Sequence, residues 1–130
     1  MLQKSWILSY DDFRILLFNC GYTECEGIYM EEKEFSDVEV IQSLNRMALH
    51  QWIYIEEDAF EIEKDLKKAI RTAGSPAYTQ IRKGLQGREY FLYFDEDSIV
   101  ISQPYYERKG MLKLTLMDQE AFHLWEEDIQ

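Results

Sequence analysis

The sequence predicts an α+β domain in which helices, in a winged-helix-like order, precede a three-stranded antiparallel sheet and a last helix. Three observations carry that expectation. Before Pro76 the apolar residues recur at helical spacing behind capping residues. After Pro76 they alternate, as they do in strands with two distinct faces. The helices also come ahead of the strands instead of between them, which favours a segregated layout over a doubly wound one.

The first helix follows Ser9 as cap, with Asp12 at the capping-box position and Phe13, Leu16 and Leu17 on one side until Gly21. Leu8 and Phe13 are spaced to clasp across that cap, and Trp6-Ile7-Leu8 before it reads as a short extended anchor. From Gly21 to Phe35, Gly, Thr and glutamates surround Ile28, Tyr29 and Met30, the composition of a loop holding one short strand. A second helix starts at Ser36, boxed with Glu39, and turns Val40, Ile41, Leu44, Met47 and Ala48 inward until about His50. Trp52-Ile-Tyr-Ile and Ala59-Phe60 flank the acidic turn Glu56-Glu57-Asp58 as a small hairpin. A third helix runs from about Glu61 to Gly74, with Ile62, Leu66, Ala69, Ile70 and Ala73 inward. Gly74-Ser75-Pro76 is the one place for a sub-boundary within what otherwise reads as a single domain over 1–130. The strand-like runs are Tyr90–Phe94, Ile99–Ile101 and Met111–Met117, and Asp118 caps a final helix bearing Phe122 and Trp125.

A chain of 130 residues can close one ordinary core, and an aromatic share of 15% strengthens that expectation. The formal charge of −11 disfavours nucleic acid and anionic membrane surfaces, whose phosphates attract Lys and Arg. Lys64, Lys67, Lys68 and Arg71 alternate with Glu61, Glu63 and Asp65, the pattern of a solvated helix face. No run approaches the roughly 20 apolar residues of a membrane span, and the N-terminal residues lack the apolar stretch of a signal peptide, so a cytoplasmic location is expected. Cys20 and Cys25, with four residues between them, fit reduced thiols better than a redox or zinc motif.

Chemistry finds little foothold in the pattern. His50 and His123 stand without a nucleophile or motif beside them and read as capping or surface residues. Asp95-Glu96-Asp97-Ser98 lacks the glycine and distal glutamate of a calcium loop and reads as a turn, while Glu31–Glu34 and Glu126–Asp128 read as solvated faces. Gly84-Leu85-Gln86-Gly87 precedes a strand rather than opening a helix, so it is a turn and not a phosphate cradle. No catalytic residue, metal or cofactor is predicted.

The aromatic surplus carries the functional expectation. Alternation puts Tyr90, Leu92 and Phe94 on one side of their strand and Phe91 and Tyr93 on the other, so both sides ask for cover. Tyr and Trp suit binding surfaces because each joins a large contact area to a polar tip. The expected interaction residues are Tyr90, Phe91, Tyr93, Tyr105 and Tyr106, in a non-enzymatic protein-binding domain that docks a protein partner or a second copy of itself. The alternatives are a winged-helix-like regulator or ligand sensor, and a small enzyme using a carboxylate with His123.

Read in order, Trp6, Leu8, Ser9, Asp12 and Phe13 before a helix, the capped second helix, a third helix ending Ala73-Gly74, and a strand trio closed by Phe122 and Trp125 resemble the layout of the EspG-type chaperones of type VII (ESX) secretion. The resemblance spans most of the chain as pattern and order, without a diagnostic motif. Those chaperones are longer and built from two similar α+β halves, of which this chain matches one. The resemblance implies a cytoplasmic carrier or adaptor that binds helical secretion substrates, catalyses no reaction and completes its fold as a homodimer. It transfers no individual binding residue to this chain.

Overall fold

Alternation along Met111–Met117 sets the architecture, because Leu112, Leu114 and Leu116 face one way while Thr115 and Met117 face the other and all five are buried. A sheet apolar on both sides must be covered on both. The computed structural model, which describes residues 1–129, meets that demand with helices on each face of a central sheet. In chain order the elements are β1 (Gln3–Ser9), α1 (Tyr10–Asn19), α2 (Asp37–Leu49), β2 (Ile53–Glu56), β3 (Ala59–Ile62), α3 (Lys64–Gly74), β4 (Tyr78–Lys83), β5 (Glu89–Phe94), β6 (Ile99–Pro104), β7 (Met111–Met117) and α4 (Gln119–Ile129).

The sheet is five-stranded, not three-stranded, in the order β1-β7-β6-β5-β4, with every neighbouring pair antiparallel. Two strands therefore correct the expected layout. β1 precedes the helices and pairs across the whole length of β7, from Gln3↔Met117 to Ser9↔Met111. β4 pairs with β5 from Tyr78↔Phe94 to Lys83↔Glu89 and closes the other side. Helices thus do not all come first; the chain lays down one edge strand, builds its helices, and returns to complete the sheet. The small hairpin β2–β3 forms a separate two-stranded sheet between α2 and α3.

On one face, Trp6, Leu8, Tyr93, Val100, Leu112, Leu114 and Leu116 pack against Phe13, Leu16 and Leu17 of α1, Met47 of α2 and Leu66, Ala69 and Ile70 of α3. On the other, Leu92, Phe94, Ile99, Ile101 and Met117 pack against Ala121 and Phe122 of α4. The caps form as their residues predict: the Ser9 hydroxyl accepts from the Asp12 N–H, and the Ser36–Glu39 box is complete. In α2 the inward set differs from expectation. Ser43 and Met47 are buried, whereas Ile41 is on the outside, because only one narrow side of α2 meets the core. Ile62 belongs to β3 rather than to the third helix. The stretch Gly21–Phe35 holds no strand, only a single bridge between Cys25 and Ile28.

That irregular stretch is tied down by side chains. Arg14 of α1 donates to the Glu31 carbonyl and lies over the Phe18 and Phe35 rings, and Lys33 bridges Asp11 at 3.1 Å and Glu39 at 2.7 Å. Asp12, buried under α2, accepts from Arg46 at 2.5 Å, so α1 and α2 are joined by a charged pair shielded on the carboxylate side. At the opposite pole Asp118 ties the first strand to the last helix, accepting from the Ala121 N–H at 2.9 Å and from the Leu2 N–H at 2.7 Å.

Those two backbone donors, the Ala121 N–H first, hold the Asp118 carboxyl below its ordinary value of 3.8. A carboxyl with a depressed folded-state pKa adds stability above its unfolded value and loses it as pH falls through the folded one. Wild type should therefore exceed Asp118→Ala in thermal midpoint at pH 6, with the gap closing as pH drops below 3.8. Melting curves of the two chains across that range check it; a gap of constant size would mean that the charge of Asp118 contributes nothing.

Candidate functional site

The helices leave one part of their face of the sheet uncovered, near the start of β5 and the end of β6. There a groove of about 670 Å³ opens beside the β4 edge. Its floor is a row across neighbouring strands, Ile81 of β4, Phe91 of β5 and Ser102 of β6, which the register places side by side. One wall is the loop tip Gly27-Ile28-Tyr29, and another contains Pro104 at the end of β6 and Tyr106 from the turn after it. Tyr10 and Leu112 close the inner end.

Backbone geometry builds the loop wall. Gly27 takes a left-handed φ of +82°, which lets the chain reverse directly over the Phe91 ring. Ile28 then turns into the core while Tyr29 stays 84% exposed at the mouth. Underneath, the Tyr93 hydroxyl donates to the Glu26 carbonyl at 2.6 Å, with Ser102 Oγ at 3.2 Å and Cys25 Sγ at 3.6 Å. The loop is pinned through a buried polar cluster one residue before its glycine. Burial is the first cause that raises the tyrosine hydroxyl's pKa, and it also pushes the Cys25 thiol up to about 11, so both stay neutral hydrogen-bonding groups.

The five expected interaction residues separate into three environments. Tyr90, Phe91 and Tyr106 line the groove, with Phe91 half-buried and Tyr106 half-exposed. The Tyr90 ring also meets Trp125 of α4 edge-on at 5.2 Å, so this residue joins the groove to the opposite face. Tyr105 stands apart on the β6–β7 turn, its hydroxyl donating to Glu107 at 2.7 Å; that bond raises its pKa. Tyr93 is fully buried and belongs to the core. The ring surplus is thus divided: Phe94, Tyr93 and Phe122 are sheltered within the chain, and a smaller set stays open.

The groove residues not anticipated are Ile81, Tyr29 and Tyr10. Ile81 was hidden because Tyr78–Lys83 sits close after Pro76 and ends in a polar pair, although Tyr78, Thr79 and Ile81 are strand formers that could have marked it.

Charge at the site is sparse. Glu89 is the one ionisable acid in the lining, and Lys83 reaches it across the strand pair only at 3.9 Å. Arg88 lies over the Tyr106 ring at 4.8 Å. Arg82 points to the other face, where it is ion-paired with Glu126. His50 stacks on Trp52 at 4.5 Å at the end of α2, and exposed His123 is beside Glu126 at 3.7 Å; neither is in the groove. Among the described residues no group of three or more His, Cys, Asp or Glu side chains is arranged to hold a metal ion, and no helix is long and apolar enough to cross a membrane. What this arrangement offers is contact: an aromatic and aliphatic trough with hydroxyls at its walls and cations at its rim. No family model, curated protein or solved structure matches the chain.

Proposed function

We propose that this chain is a non-enzymatic protein-interaction domain that docks a partner polypeptide in the groove beside β4 and acts as a cytoplasmic carrier or adaptor. The observation that carries the reading is Ile81. It is 63% exposed on a sheet face otherwise sheltered by helices, with Phe91 beside it and Tyr29 and Tyr106 at the groove walls. Aromatic and aliphatic side chains grouped around a concavity supply large contact area at low entropic cost, which is how protein-binding sites gain affinity. The carrier form, with a type VII secretion substrate as cargo, rests on the sequence resemblance to EspG-type chaperones alone.

Ile81→Glu tests it. The side chain projects mostly into solvent, so the change should alter folding stability by no more than about 0.5–1 kcal/mol. A charge in the trough should nevertheless abolish partner retention. Tagged wild type and Ile81→Glu chains are purified side by side from the cells that express the protein, with circular dichroism confirming equal folding. A defined protein retained by wild type and lost from the variant is expected. Identical recovery from both chains would remove the groove from consideration.

A further inference from the structure

β4 ends the sheet, and its outer side has no neighbour among the described residues. The Gly84 N–H donates inward to the Arg88 carbonyl at 2.8 Å, and the β4–β5 register continues from that pair without a bulge to Tyr78↔Phe94. Hydrogen-bonding direction alternates along an antiparallel strand, so Arg82, Gln80 and Tyr78 bond inward. The N–H and C=O groups of Thr79, Ile81 and Lys83 then point away from the sheet. Ile81 therefore joins a free backbone donor and acceptor to an uncovered side chain on the groove floor.

Such edges are ordinarily blunted by proline, a bulge or an inward charge. β4 carries none of these from Tyr78 through Ile81; its cations stand at the far end. Charge is also unevenly spread along the chain. The stretch from Leu66 to Arg88 holds six of the fourteen basic residues and none of the twenty-five acids. At the groove rim Arg88 makes no ion pair among the described residues, and Lys83, 75% exposed, has only its distant Glu89 contact. A second copy on this edge would bring two bodies of formal charge −11 together.

The geometry points to an extended polypeptide segment bearing acidic residues as the occupant of this edge. It adds to β4 as a sixth strand, sets apolar side chains beside Thr79 and Ile81 on the groove side, and places carboxylates on that same side, further along, against Lys83 and Arg88. The assignment rests on the protein-binding reading above and specifies the chemistry of the partner.

Fluorescence anisotropy with the full chain tests it, using three labelled synthetic peptides: a valine–glutamate strand with valines in one half and glutamates in the other, the same strand with lysines for glutamates, and a helix-forming leucine–glutamate sequence. The valine–glutamate peptide should bind about tenfold or more tighter than either of the others. Thr79→Pro removes one outward donor without touching an inward bond, and should weaken that peptide about fivefold or more. Lys83→Glu with Arg88→Glu changes only exposed side chains and should erase the preference for acid even if Thr79→Pro folds poorly. Equal binding of the lysine peptide overturns the acidic assignment, and preference for the helical peptide overturns strand addition. A wild-type dimer in light scattering that Thr79→Pro dissolves gives the edge to a second copy, which also overturns the proposal. If no peptide binds, the edge assignment fails, while the protein-binding reading is decided separately by the Ile81→Glu recovery.

Discussion

Tyr93→Ala is expected to lower the unfolding free energy by about 3–5 kcal/mol, a large share of the ~5–15 kcal/mol that holds a domain together. The ring is wholly inside, packed with Phe91 at 5.0 Å between centroids, so its removal leaves a cavity under the sheet's helical face. The hydroxyl adds a second cost. The Glu26 carbonyl, Ser102 and Cys25 converge on it, and each loses a partner when it goes. Tyr93→Phe keeps the ring and isolates that part, with an expected loss of about 1–2 kcal/mol. Tyr106→Ala, half-exposed on a turn, should stay within about 0.5 kcal/mol of wild type. Urea unfolding followed by circular dichroism ranks the three. A Tyr93→Ala chain as stable as Tyr106→Ala would mean that Tyr93 is not part of the core.

Phe91 and Tyr93 show how far local pattern reaches. Alternation correctly puts Phe91 and Tyr93 on one side of β5, but it cannot say which of two neighbours on a face lies under helices and which lies under a loop tip. That depends on where Gly21–Phe35 crosses the sheet, a matter of contacts between residues such as Arg14 and Glu31 or Tyr93 and Glu26. The helices were legible because caps and period are local: Ser9 and Ser36 start their helices where the residues predict, and Gly74 marks the end of α3.

The two missing strands have a common cause. β1 is a short run whose partner β7 is more than 100 residues away, so nothing nearby in sequence declares the pairing. β4 carries polar residues on both sides because, as an edge strand, it is largely open to solvent, and a strand with Gln80, Arg82 and Lys83 looks like a loop until its neighbour is known. Both edges of the sheet were therefore the illegible part, and the groove lies at one of them. The aromatic excess signalled open ring surface; the position of the groove was not readable, since Ile81 and Tyr29 come from the two stretches that read as connections.

Gly27→Val is expected to cost about 3 kcal/mol and to disable the groove together with it. A β-branched residue at φ +82° carries roughly 1–2 kcal/mol of backbone strain. Its Cβ would also stand 2.5 Å from the Phe91 ring, and overpacking of that kind costs about 1–3 kcal/mol. Gly21 separates the two contributions. It shares the left-handed conformation, at φ +93°, but a side chain there would meet nothing within 4 Å, so Gly21→Val should show the strain alone. Phe91→Ala supplies the complementary control: combined with Gly27→Val it should cost about 1–2 kcal/mol less than the two changes added, because the colliding ring is gone. Tyr29 moves with its loop, so Gly27→Val should also weaken groove binding well below its melting temperature, whereas Gly21→Val should leave binding unchanged. Equal stability and equal binding in the two valine variants would mean that the loop lifts from Phe91 freely, and a wall that yields so easily could not shape a docking groove.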